Sequence, residues 1–209
     1  MIRILIADDH SLIRKGLVQI LSEKSNTDVI EASDSKEVFQ QLKKFDVRAL
    51  VLDISLPGKN GIEILKDVKA IYPNVAVLML SVYPEDQYGI RSLKSGASGY
   101  LTKDSAPENL IEAIDKVLSG GKYISASIAE KLISELTGAS TSSENPHEKL
   151  SDREFEVLKS MGHGSSPSEI ANKLNLSIKT ISTYRSRILQ KMKLKNNAEL
   201  IQYVIKKDL

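Results

Sequence analysis

Five residues from four separate places in the chain carry the types needed for phosphate chemistry: Asp8, Asp9, Asp53, Ser81 and Lys103. Taken singly, each is an ordinary loop residue or helix cap. If the fold gathers them, three carboxylates share one small volume with a hydroxyl and an ammonium. Like charges brought together raise one another's energy unless a cation neutralises them. A hard divalent ion with oxygen ligands and retained waters, such as Mg²⁺, is suited to that task. A second set lies near the other end, in Ile178-Lys179-Thr180-Ile181-Ser182-Thr183-Tyr184-Arg185-Ser186-Arg187-Ile188-Leu189-Gln190-Lys191-Met192. Lys179, Ser182, Thr183, Arg185, Ser186 and Arg187 lie mostly off an apolar stripe of Ile181, Ile188, Leu189 and Met192, which Ile178 can join. A basic, hydroxyl-rich helix face suits the major groove of DNA. A four-helix domain that binds a protein is the alternative reading.

Gathering the first set requires strand ends. Ile2–Ala7, Ala49–Leu52, Val75–Leu80 and Gly99–Leu101 are nearly continuous apolar runs, and Asp28–Ala32 is a weaker one. Such runs mark buried parallel strands. Amphipathic stretches separate them. Leu12, Ile13, Leu17, Ile20 and Leu21 form one stripe, and Ile62, Ile64, Leu65 and Val68 a second. Leu110, Ile111, Ile114, Val117 and Leu118 form a third. The alternation predicts βαβ units in a five-stranded parallel sheet with five helices on its two faces, a doubly wound (βα)5, flavodoxin-like α/β domain. Ligands of such sheets bind at the carboxyl ends of the strands, where Asp8, Asp9, Asp53, Ser81 and Lys103 then fall.

An amphipathic helix is expected over about 125–136, after Gly120-Gly121. The following Thr137–Pro146 stretch is rich in Ser, Thr and Gly, a linker composition. Beyond it the pattern is all-α. Ser151 and Glu154 form a capping box, Gly162-His163-Gly164 stops the first helix, and Pro167 starts the next, which ends near Asn175. Ser177 caps a third running to about Met192, and Asn196 with Glu199 caps a fourth. The expected division is 1–120, a linker over 121–149, and a four-helix helix-turn-helix domain over 150–209.

Composition agrees with two partners of different kinds. Residues 1–136 hold 17 Lys and Arg against 19 Asp and Glu, whereas residues 151–209 hold 11 against 6. The basic excess sits in the last quarter, which suits equally a part that meets a polyanion and a solvated basic surface. Cysteine is absent, which excludes disulfides and thiolate metal sites. The start of the chain is too acidic for a signal peptide, and no apolar run reaches the ~20 residues of a membrane span. A cytoplasmic protein without membrane contact is expected.

Residues 1–120 resemble the receiver domain of bacterial response regulators. The match rests on Ile6-Ala7-Asp8-Asp9-His10, Leu52-Asp53-Ile54-Ser55-Leu56-Pro57-Gly58, Leu80-Ser81 and Gly99-Tyr100-Leu101-Thr102-Lys103. The resemblance implies that Asp53 accepts a phosphoryl group from a sensor histidine kinase. It implies that Asp9, Asp53 and the Ser55 backbone carbonyl hold Mg²⁺, with Asp8 assisting through water. Ser81 would bond a phosphoryl oxygen, Lys103 would pair with it, and Tyr100 would move inward as Ser81 shifts. Residues 148–207 resemble the LuxR-type helix-turn-helix of the NarL/FixJ family, through Leu150-Ser151-Asp152-Arg153-Glu154, Glu169-Ile170-Ala171 and Lys179-Thr180-Ile181. The stretch from Lys179 to Arg187 is most similar to the BvgA/EvgA subgroup. Many members place lysines where this chain has Ser182 and Ser186. Base contacts are therefore assigned to Lys179, Thr183, Tyr184 and Arg187, with Arg185 and Lys191 reaching phosphates. Together the resemblances imply a response-regulator transcription factor, not an enzyme. Its expected partners are a sensor histidine kinase, double-stranded DNA, a second copy when phosphorylated, and RNA polymerase. Phosphatases of the haloacid-dehalogenase type carry a second Asp two residues after the nucleophile, where this chain has Ser55.

Overall fold

The computed structural model describes residues 1–57, 59–136, 145–207 and 209. The chain divides into two compact units between residues 140 and 141. The Ser/Thr/Gly-rich stretch assigned to a linker lies, over residues 137–144, outside the described residues.

In the first unit, β1 (Ile2–Ala7), β2 (Thr27–Ala32), β3 (Ala49–Asp53), β4 (Ala76–Ser81) and β5 (Gly99–Thr102) form one parallel sheet in the order β2-β1-β3-β4-β5. Every residue of β3 is buried, which explains its unbroken apolar run: helices cover both of its faces. On one face α1 (Ser11–Ser22) and α5 (Ala106–Leu118) bring Leu17, Leu21, Leu110, Ile114 and Val117 onto Ile4, Ile6, Val51, Leu78 and Leu80. Alternate strand residues such as Leu5, Leu50, Leu52 and Met79 are equally buried and point to the opposite face. The remaining helices are α2 (Ser35–Lys44), α3 (Gly61–Ile71) and α4 (Glu85–Lys94). Five strands and five helices agree with the reading of the sequence. Leu12, expected in the α1 stripe, is instead 83% exposed. At about 100° per residue it lies on the opposite side of the helix from the buried Leu17 and Leu21.

After α5 the chain returns to the edge of β5. Tyr123 pairs with Gly99 in a single parallel bridge, its N–H donating to Ser98 O at 3.0 Å and its carbonyl accepting from Tyr100 N at 3.0 Å. Gly99 permits this approach, because a Cβ there would lie 2.7 Å from Tyr123 O. Then α6 (Ala126–Leu136) packs on α4, with Ile128 buried beside Gly89 and Ser125 N donating to Glu85 Oε1 at 3.1 Å.

The second unit holds α7 (Asp152–Gly162), α8 (Pro167–Leu174), α9 (Ile178–Met192) and α10 (Asn197–Lys207), preceded by a 3-10 turn over Pro146–Lys149 that the sequence reading did not foresee. Its core is built from Phe155, Leu158, Ile170, Ile181, Ile188, Leu200 and Val204. The expected capping box at Ser151 and Glu154 is formed, and Ser166 with Glu169 forms a second. Asn175 ends α8 with a left-handed φ of 53°, which sets the tight turn into α9. Among the described residues no helix is long and apolar enough to cross a membrane.

Candidate functional site

The register fixes the acidic site. Ala7 lies opposite Leu52, Asp53 opposite Leu80, and Ser81 opposite Thr102. Asp8, Asp53, Ser81 and Lys103 thus reach the same edge of the sheet. Asp8, Asp53 and Ser81 are buried, whereas Asp9 and His10 are exposed. Lys103 Nζ lies 2.8 Å from Asp53 Oδ2 and 2.7 Å from Asp8 Oδ2, so one ammonium joins the ends of β1 and β3. Asp53 Oδ1 accepts from the Ser55 backbone N–H at 3.1 Å. Burial pushes the Asp53 carboxyl upward, and the Asp8 charge adds to this. Lys103 opposes the rise without cancelling it. Burial lowers the Lys103 ammonium, but Asp53 and Asp8 outweigh it, and the net direction is up.

One atom each from Asp8, Asp9, His10 and Asp53 falls within a set no more than 4.8 Å across. His10, exposed beside the acidic pair, belongs to this set. Its N–H donates to Asp8 Oδ1 at 2.8 Å, and its Nδ1 is 2.8 Å from Asp9 Oδ1. Three carboxylates face one ammonium in this cluster, and Lys103 is the partner of Asp8 Oδ2. The donor set therefore fits a hard divalent cation: oxygen-rich, with negative charge in excess. Arg14 Nη1, which sequence reasoning missed, holds the Asp8 carbonyl at 2.6 Å.

Ser81 Oγ accepts from Tyr83 N at 3.0 Å, and Tyr100 donates its hydroxyl to Tyr83 O at 2.8 Å. Tyr100 is buried, and that burial pushes its phenol well above the ordinary range. The ring is thus already turned inward. Ser81 and Tyr100 are thus linked through one residue, Tyr83.

On α9, Lys179, Ser182, Thr183, Ser186, Arg187, Gln190 and Lys191 are exposed, and Tyr184 and Arg185 half-buried. Two of the cations assigned to DNA are engaged within the unit. Arg185 Nε donates to Asn197 Oδ1 at 2.6 Å, and Lys191 Nζ pairs with buried Glu154 Oε2 at 2.6 Å. Ile178 is 53% exposed and does not join the buried stripe.

Residues 4–115 match the response regulator receiver domain, and residues 148–204 match the bacterial regulatory proteins of the luxR family. The chain belongs to the response regulators with a luxR-type DNA-binding domain. Oxygen regulatory protein NreC of Staphylococcus carnosus is 34% identical over 213 residues, covering 99% of this chain and 98% of that protein. RcsB from Salmonella enterica serovar Typhimurium, solved bound to promoter rprA in the presence of phosphomimetic BeF3−, is 27% identical with a TM-score of 0.66 over 98% of both chains. An RcsB–DNA complex is 28% identical with a TM-score of 0.59 over 97% of both.

In this response regulator the Glu154–Lys191 pair also tells how the DNA-binding unit responds to acid. Burial raises the Glu154 carboxyl, but the Lys191 ammonium and the Ser151 N–H outweigh it and hold the group below its ordinary value of 4.5. A depressed folded-state value contributes stability above the unfolded value that is lost as pH falls through the folded one. The unit is therefore expected to lose melting temperature below about pH 4.5. Glu154→Gln should flatten that loss and cost about 1–2 kcal/mol at pH 7, since the capping carboxylate and its cation separate. Parallel acid slopes for the two proteins in thermal melts would show that Glu154 is not the group responsible.

Proposed function

We propose that this response regulator takes a phosphoryl group on Asp53 from the phosphohistidine of a sensor histidine kinase, and that the modification controls dimerisation and binding to double-stranded DNA. The reading divides the chain into a receiver over 1–120, a linker over 121–149 that includes α6, and a DNA-binding domain over 150–209. What carries it is the Lys103 ammonium bridging Asp53 and Asp8 over a buried carboxylate at the end of the central strand.

Asp9, Asp53 and the Ser55 backbone carbonyl would hold Mg²⁺, with Asp8 acting through water. The ion supplies neutralisation of phosphoryl-oxygen charge during transfer. Asp53 provides the attacking carboxylate oxygen. The phosphorus–nitrogen bond of the donor breaks as the phosphorus–oxygen bond forms. Lys103 then exchanges its contact with Asp53 for one with a phosphoryl oxygen, and the Ser81 hydroxyl turns from Tyr83 N towards another. Through Tyr83 that turn reaches Tyr100, the switch residue. Nothing in this scheme turns over a substrate, so the chain acts as a regulator and not as an enzyme.

On the DNA side, Lys179, Thr183, Tyr184 and Arg187 read bases, and Arg185 and Lys191 contact phosphates. The latter two must share their charge with Asn197 and Glu154. The α9 sequence is of the BvgA/EvgA kind, cytoplasmic action follows from the DNA partner, and RNA polymerase is the natural further partner of a transcription factor.

The test is affinity against salt for selected and random duplexes, with and without acetyl phosphate. Phosphorylation should tighten binding to the selected duplex. Arg187→Ala should cost roughly 1–3 kcal/mol on that duplex and relax preference at one position. An equal loss on both duplexes would make Arg187 an electrostatic contact only. No effect of phosphorylation on either would disprove the control.

A further inference from the structure

Ile178 is the first residue of α9 and is 53% exposed, although the other aliphatic positions of its helix turn inward: Ile181 is 1% exposed and Ile188 0%. At about 100° per residue, Ile178 falls on the line of the stripe, but it stands at the helix start, one turn before Ser182, where it is exposed as Lys179 and Ser182 are. Its place is fixed. Ser177 caps the helix by accepting from Thr180 N at 3.1 Å, and its hydroxyl meets Thr180 Oγ1 at 2.8 Å. Local rules do not explain the residue. A β-branched side chain is stiff and mildly unfavourable in a helix, and half an isoleucine in water forgoes burial energy.

We infer that Ile178 reads the C5 methyl of a thymine in the major groove. The inference rests on the reading of α9 as the helix that enters the groove, and it adds an apolar contact to the polar ones assigned there. In the helix-turn-helix mode the N-terminal residues of the second helix face base edges. The C5 methyl of thymine is the one apolar feature those edges present. Against cytosine, guanine or adenine the isoleucine would cover hydrogen-bonding groups without offering them a partner, which is costly. Exposure in the free protein and burial against a methyl in the complex give Ile178 a sequence preference that Lys179 and the neighbouring hydroxyls do not supply.

The experiment uses the full chain treated with acetyl phosphate. A preferred duplex is selected from a randomised pool, and each thymine in it is then replaced singly by deoxyuridine, which removes only the methyl. For the parent protein one such replacement per half-site is expected to weaken binding about fourfold, the equivalent of one buried methylene-sized group. Ile178→Ala should bind thymine and deoxyuridine alike at that position and keep the parent's response at all others, and Ile178→Val should restore part of the difference. Because the side chain is exposed, Ile178→Ala should leave the melting temperature unchanged. A full thymine preference retained by Ile178→Ala, or no deoxyuridine penalty in the parent, overturns the inference while leaving the groove reading intact. A selection that enriches no sequence overturns the groove reading itself.

Discussion

Replacing Asp53 by asparagine is expected to abolish Mg²⁺-dependent labelling by acetyl phosphate or by a phosphorylated kinase. The amide is close to isosteric and cannot form the acyl phosphate. It also removes the negative charge that Lys103 meets at 2.8 Å. Asp8 remains 2.7 Å from that ammonium, so the lysine stays paired and the fold should survive. The same protein should therefore melt as a cooperative unit, show no shift on a phosphate-affinity gel, and bind DNA equally with and without the phosphodonor. Labelling of Asp53→Asn at the parent's rate would move the acceptor elsewhere, to another carboxylate of the cluster such as Asp9.

Gly61→Ala should be nearly as damaging, for a steric reason. A Cβ at Gly61 would lie 2.3 Å from Asp53 O and 2.7 Å from Ile54 Cα. Both are backbone atoms at the end of β3, and neither can swing aside as a side chain would. Gly61 N also donates to Ile54 O at 2.8 Å, tying the start of α3 to the acceptor strand. The methyl must push α3 from β3, and with it the loop that carries Ser55. Overpacking of this kind costs roughly 1–3 kcal/mol, and labelling by acetyl phosphate should fall more than tenfold as the Asp53 and Ser55 oxygens lose register. Gly16→Ala is the contrasting change, because nothing lies within 4 Å of a Cβ there. It should stabilise the protein by up to ~1 kcal/mol through helix propensity. Urea denaturation of the pair checks this. Equal stability of Gly61→Ala and the parent would mean that the α3 start yields without cost.

The strands were legible because burial on both faces leaves an unmistakable run of Val, Leu and Ile, and the acids at their ends could be read as one edge before any coordinates. Caps were legible for the same kind of reason: Ser151 and Ser177 use local hydrogen bonds that sequence spacing records. What escaped depends on contacts across the chain. Lys191 looked free on its helix because its partner, Glu154, is 37 residues away and was already occupied in the reading as a cap. The engagement of His10 with Asp8 and Asp9 depends on how β1 turns into α1, which spacing does not record. Ile178 fits the apolar stripe of α9 by periodicity, yet it stands in the first turn of its helix. There the stripe runs past the surface it is meant to cover, and periodicity alone carries no information on where that surface stops.

The single bridge between Gly99 and Tyr123 bears on how the first unit could be excised. β5 closes the sheet on that side, and an edge strand offers its unpaired N–H and C=O groups to any passing chain. Tyr123 occupies the Ser98 carbonyl and the Tyr100 N–H, and α6 stands on α4 next to it. A fragment cut at residue 120 would leave those two groups bare beside Tyr100, inviting strand-to-strand association that the intact protein does not offer. A cut after residue 136 keeps the edge capped, so self-association of the shorter fragment would report a naked strand and not the regulator's own dimer.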